Sequence, residues 1–197
     1  MTASRAIRPG GRGWVWFYPL AILIAAGLIL FSLGPAPFAT RGAAVSASQS
    51  GQAWVLGPAS LAQAVPDVWH STHIVRGPTG APVGVRIAAK PGAPEALDGV
   101  KLRLSPTASQ ALSQKAVRAQ LQFKRIAETG ATGIGLRLVG AAPMPWQTIP
   151  LPEQGDSMEI LLPATGEVSG LDMRAVSNRT DFASGIEITQ IALTPES

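Results

Sequence analysis

The chain reads as a mainly β protein, an antiparallel β-sandwich carried behind one N-terminal transmembrane helix. Three observations predict this. Residues 14–33, WVWFYPLAILIAAGLILFSL, pass without a charge for twenty residues. Beyond residue 80, apolar side chains recur at every second position in a series of short runs. Gly and Pro clusters separate those runs, and helical periodicity between them is nearly absent. A period of two marks a strand with one buried face, and a parallel sheet would need crossover helices that are missing here.

At about 1.5 Å per residue the uncharged run spans roughly 30 Å as a helix, the thickness of a bilayer core. A buried core helix is rarely apolar on every face over such a length. Trp14, Trp16 and Tyr18 cluster at one end of the run, where amphipathic rings settle at the headgroup level. They are the expected membrane-interface residues, and the lipid bilayer is an expected partner. Pro19 falls in the first turns, where its missing N–H costs little. Arg5, Arg8 and Arg12 precede the run, and only Arg41 follows within the next forty residues. That bias holds residues 1–13 in the cytoplasm and places the remainder in the periplasm, on a single-pass inner-membrane anchor. A rival is cleavage after Val45-Ser46-Ala47. That site lies fourteen residues past Leu33, and the apolar run exceeds the roughly 7–15 residues of a signal peptide.

Charge supports the same division. The formal net charge is +4 and the isoelectric point about 10.1. From residue 48 onward, however, twelve Lys and Arg meet twelve Asp and Glu, so the excess resides in Arg5, Arg8, Arg12 and Arg41. Basicity confined to the flanks of an apolar span is a topology and headgroup signal, and no nucleic-acid partner is expected. The absence of cysteine excludes disulfides, thiol catalysis and cysteine-ligated metals. Asn178-Arg179-Thr180 fits the N-glycosylation pattern, a three-residue match common by chance.

Residues 34–53, GPAPFATRGAAVSASQSGQA, lack periodicity and read as a flexible linker, leaving 54–197 as the extracytoplasmic β-sandwich. Within it Val83, Val85 and Ile87 alternate with Gly84 and Arg86. Val100, Leu102 and Leu104 alternate with Lys101 and Arg103. Ser105 is an N-cap, Pro106 the first helical residue, and Ala108, Ala111 and Leu112 the apolar face of the one helix expected outside the membrane, ending near Ser113-Gln114. Residues 117–124 set Val, Ala, Leu and Phe against Arg118, Gln120, Gln122 and Lys124. Ile134, Leu136 and Leu138, then Met158, Ile160 and Leu162, then Leu171, Met173 and Ala175 continue the pattern, each opposite a wet face. The last run starts with Ile186 and Ile188 and resumes with Ile191 and Leu193, a change of parity at Thr189-Gln190 that predicts a β-bulge or a bend. Seven or eight strands of this kind argue a sandwich.

From Val83 onward, over roughly 115 residues, the layout resembles the galactose-binding-like, or carbohydrate-binding-module-like, jelly-roll domains. The carrying residues are GVKLRLSP (99–106), the short helix, VRAQLQFK (117–124), GIGLRL (133–138), Trp146-Gln147 before Ile149, and GIEITQIALTP (185–195). The resemblance implies sugar binding through exposed aromatics and, in many members, a structural calcium. This chain departs on both: Trp54, Trp69 and Trp146 are the aromatics of this kind left beyond the membrane edge, and no acidic D-x-D cluster is present to hold calcium.

Candidate chemistry is sparse. His70 and His73 form H-x-x-H, but a spacing of three on a strand puts them on opposite faces, and a third metal ligand is not evident. No G-x-S-x-G occurs, Asp156 and Glu159 suit a solvated turn, and no spacing requires Asp172, Asp181 and Glu187 to converge. The glycine-rich 130–135 leads into a strand and so does not cradle a phosphate. Neither catalytic residues, nor a metal, nor a cofactor are expected, and the chain does not read as an enzyme. Trp69 and Trp146 are the candidate ligand-binding residues, as stacking surfaces for a sugar or anchors for a partner. Two roles compete: a membrane-anchored, non-enzymatic binding module of a bacterial envelope, for carbohydrate or another envelope polymer, and an accessory single-pass subunit of a larger membrane complex. Ala25-Ala26-Gly27 would permit the close helix packing that the second requires.

Overall fold

A computed structural model describes residues 47–93, 99–126, 131–142, 144–164, 166–177 and 184–196, all within one compact unit that runs from Gly42 to Ser197. The expected transmembrane helix and its interface residues Trp14, Trp16 and Tyr18 lie outside the described residues. Among the described residues, no helix is long and apolar enough to cross a membrane.

The elements are β1 (Ser48–Ser50), β2 (Ala53–Leu56), α1 (Pro58–Leu61), β3 (Val65–Pro66), β4 (His70–Arg76), β5 (Pro82–Ala89) and β6 (Val100–Arg103). They continue with α2 (Pro106–Leu112), β7 (Val117–Arg125), β8 (Gly133–Gly140), β9 (Gln147–Pro150), β10 (Ser157–Leu162), β11 (Val168–Val176) and β12 (Ser184–Pro195). Every pairing is antiparallel. One sheet has seven strands, with β1-β2-β12-β5-β4 in order and β7 joining β12 to β10; the other has five, in the order β3-β6-β11-β8-β9. The inward side chains of both sheets share one core, so the domain is mainly β and consistent with a sandwich. Phe123, Leu121, Ile134, Leu136, Leu171 and Ile188 are among its fully buried members.

Alternation does what the sequence expects of it. β7 is buried at Val117, Ala119, Leu121 and Phe123 and exposed at the residues between. α2 begins with the Ser105 hydroxyl accepting a hydrogen bond from the Ala108 N–H at 3.3 Å, with Pro106 in its first turn. It ends where the Ser113 hydroxyl donates to the Ser109 carbonyl and Gln114 enters the left-handed region at φ 63°. In β12, Ile188 faces Phe123 while Gln190 faces Gln122, so Thr189 is the bulged residue. Its hydroxyl donates to the Gln122 carbonyl at 3.2 Å. At this bulge β12 exchanges one flanking partner, β5 before it and β2 after it, which is why its parity changes.

Three expectations need correction. The described residues hold twelve strands and a second short helix, α1, where seven or eight strands and one helix are expected. The surplus strands are short or lie at sheet edges, where one covered face and one neighbour impose no strict alternation. The first strand starts at Ser48, inside the stretch expected to be linker, because Ser48–Ser50 pair with Ala53–Val55 across a turn at Gly51, φ 62°. Finally, β8 and β11 do not present a wet outer face. Gly133, Gly135 and Asp172 are all buried there.

Candidate functional site

What covers β8 and β11 is the candidate site. Leu171 and Met173 belong to the core, so parity turns Asp172 and Arg174 outward. Register then builds two rows across the outer face of the five-stranded sheet. One runs Val65–Lys101–Asp172–Arg137, the other Arg174–Gly135–Thr148.

Trp146, just before β9, lies over these rows. Both guanidinium carbons lie over its ring, Arg137 at 4.5 Å and Arg174 at 4.4 Å from the centroid. Two glycines make the seat. A Cβ on Gly135 would stand 3.0 Å from Arg174 Cγ and 3.3 Å from Trp146 Cε3. One on Gly99 would overlap the Met173 carbonyl oxygen and approach Trp146 Cη2 to 3.1 Å. Side chains at either position would lift the indole off the sheet. The indole Nε1 is buried with no hydrogen-bond partner among the described residues, so the ring is held by its faces.

Beneath this cover, Arg137 Nε and Nη2 donate to Asp172 Oδ2 at 2.9 and 2.7 Å. The Asp172 side chain is 1% exposed and that of Arg137 14%. A pair this dry is costly to form and costlier to break, since removing one partner strands a charge. The aspartate therefore fixes Arg137, and Arg137 helps fix the tryptophan.

The opposite outer face is arranged differently. Glu187 on β12 is buried beside Gly84, whose missing side chain leaves it room, while its partners Arg86 and Lys124 reach it from water. Further along, Arg118 bridges Glu159 and Glu196. Its guanidinium titrates above its usual range, chiefly because of the hydrogen bond to Glu196 and then the charges of Glu159 and Glu196. Asp172 and Glu187 thus lie on opposite outer faces and do not converge; Asp181 lies outside the described residues.

Trp69 is half-buried just before β4. Asp67 Oδ1 accepts from the backbone N–H groups of Trp69 and His70 at 2.8 and 2.9 Å and lies 2.7 Å from His70 Nδ1. The Trp69 carbonyl accepts from the Lys90 N–H at 2.9 Å. Trp69 and Trp146 therefore flank the same β5–β6 connection, one at Lys90 and the other at Gly99. His70 is buried and His73 exposed, and no cluster of metal-binding side chains occurs among the described residues.

Trp146 is expected from the sequence, whereas Arg137, Asp172 and Arg174 are expected on a wetted face and lie instead beside or beneath the tryptophan. A usable signal was present. Glycines at 133 and 135 on the adjacent strand remove the side chains of that face, and a face without side chains must be covered by something else.

No protein family matches the chain, and no curated protein matches it. Among solved structures, a low affinity xylan binding module from the gut symbiont Roseburia intestinalis is similar at 10% identity and a TM-score of 0.45, over 74% of this chain and 97% of that one.

Proposed function

We propose that this protein is a non-enzymatic binding module for a carbohydrate or related envelope polymer, held at the outer side of a bacterial inner membrane by residues 14–33. The outer face of the five-stranded sheet is its ligand face. The observation that carries the reading is the seated Trp146, an aromatic surface in contact with two guanidinium groups beside a buried, paired aspartate. Polar groups fixed by dry packing beside a half-exposed ring are what orientation of a polyol ligand requires. The jelly-roll connectivity suggested by the resemblance to galactose-binding-like domains belongs to the same proposal. Trp69 has a supporting place, since it borders the connection that ends under Trp146.

The test is an array of glycans and envelope polymers probed with the full chain in mild detergent. The proposal expects binding that falls about tenfold or more in Trp146→Ala, roughly 1.4 kcal/mol. Binding unchanged by Trp146→Ala would move the site elsewhere. No binding at all, together with a stoichiometric membrane-protein partner on gentle purification, would favour the accessory-subunit role instead.

A further inference from the structure

One cleft lies apart from the tryptophan. It opens beside α2, holds about 380 Å³, and is lined by Ser109 and Gln110 of the helix, Arg103 at the end of β6 and Glu167 just before β11. Its frame is stitched together around Glu167. The Ser113 hydroxyl donates to the Ser109 carbonyl at 2.7 Å and accepts from the Val168 N–H at 3.0 Å. The Gln114 N–H donates to the Gly166 carbonyl at 3.0 Å, and the Leu104 N–H to the Ser169 carbonyl at 3.1 Å. The end of α2, the end of β6 and the entry to β11 are thus fixed to one another, so the fold itself holds the walls of the cleft.

Two charges of opposite sign line this cleft. Arg103 and Glu167 are both exposed, and neither side chain makes a hydrogen bond or ion pair among the described residues. Arg86, Arg118, Lys124 and Arg137, in contrast, each lie within 3.8 Å of a carboxylate oxygen. Register accounts for the difference. The neighbour of Arg103 on β11 is Gly170, and β3 pairs with β6 only at Val100 and Lys101. A Cβ at position 170 would stand 2.7 Å from the Leu102 carbonyl oxygen, so a side chain bearing a countercharge has no room there. Glu167 lies one residue ahead of the pair between Val168 and Gly140, where β8 ends in another glycine. The two signs together select the ligand. An anion in the cleft would gain Arg103 and be repelled by Glu167, and a cation would meet the reverse. A molecule carrying both charges gains both contacts, with the guanidinium taking its carboxylate through two N–H donors. Ser109 and Gln110 add a hydroxyl and an amide suited to a peptide link, and the volume is on the scale of a small-molecule site.

We propose that the α2 cleft binds a short zwitterionic peptide, with its carboxylate on Arg103 and its ammonium on Glu167. This site is separate from Trp146 and does not rest on the polymer reading above. The test is calorimetric titration of the full chain, in a non-ionic detergent, with alanyl-alanine, its N-acetyl form and its C-terminal amide. Each blocked form keeps the peptide and removes one charge. The expected result is binding of the free dipeptide at least about tenfold tighter than either blocked form. Arg103→Gln should abolish the preference over the amide and keep the preference over the N-acetyl form. Glu167→Gln should do the opposite. Both replace exposed side chains, so the melting temperature should not change. Equal affinity for the three compounds would overturn the proposal, as would no detectable binding of the free dipeptide. A variant that weakened all three alike would overturn it too, since that is the mark of a structural role and not of charge reading.

Discussion

The two outer faces of this sandwich solve one problem in different ways. Each carries a buried carboxylate on a central strand, Asp172 on β11 and Glu187 on β12. Glu187 is served by Arg86 and Lys124, whose side chains are 49% and 65% exposed, so its countercharges remain in water. Asp172 is served by a guanidinium that is itself covered, and the cover is Trp146. On one face the solvent shares the electrostatic work; on the other the protein does it alone. An arrangement that the fold can manage more cheaply, as the seven-stranded face demonstrates, points to a purpose beyond stability for the drier one.

Substitutions should separate the faces. The largest effect is expected for Asp172→Ala, which removes the buried carboxylate that the covered Arg137 pairs with and should cost about 3–5 kcal/mol. For a domain of this size that is a fall in Tm on the order of 10 °C, read by thermal denaturation. A loss as small as that of an exposed pair would show that the cover does not keep water out. Next comes Trp146→Ala, at about 2 kcal/mol, from lost packing and the two cation–π contacts. Trp146→Phe should cost less than Trp146→Ala, because it keeps a ring face and removes the unpartnered indole N–H. Glu187→Ala should cost about 1 kcal/mol, since both cationic partners are already largely hydrated. Arg118→Ala should leave Tm unchanged within error, because its pairs with Glu159 and Glu196 are exposed and screened. If Glu187→Ala and Asp172→Ala proved equally costly, the contrast between the faces would collapse.

Legibility in the sequence follows from the same physics. Runs such as VRAQLQFK in β7 are readable because one face meets the core and the other meets water, so each residue type reports its side. The bulge at Thr189 was readable for that reason too: a break in alternation is visible only where alternation is strict. Short edge strands such as β9, QTIP, were not, since an edge imposes no such pattern and Pro150 disguises it. The site was half legible. A tryptophan between prolines stands out, but Arg137, Asp172 and Arg174 look like ordinary solvated positions until β9 brings Trp146 across them. That covering is a tertiary event with no local period. The glycines at 99, 133 and 135, which leave that face without side chains, hint at it in the chain.

The central claim is that ligand meets the five-stranded face and not the other. Two lysines form a matched pair for testing it, Lys101 on β6 and Lys124 on β7, each exposed on a strand of a different outer face. The measurement is the affinity of the full chain for the polymer it binds most tightly on the array after Lys101→Gln and, separately, after Lys124→Gln. The account predicts a loss of about tenfold or more for the first and less than about twofold for the second. Equal losses, or a loss confined to Lys124→Gln, would contradict it.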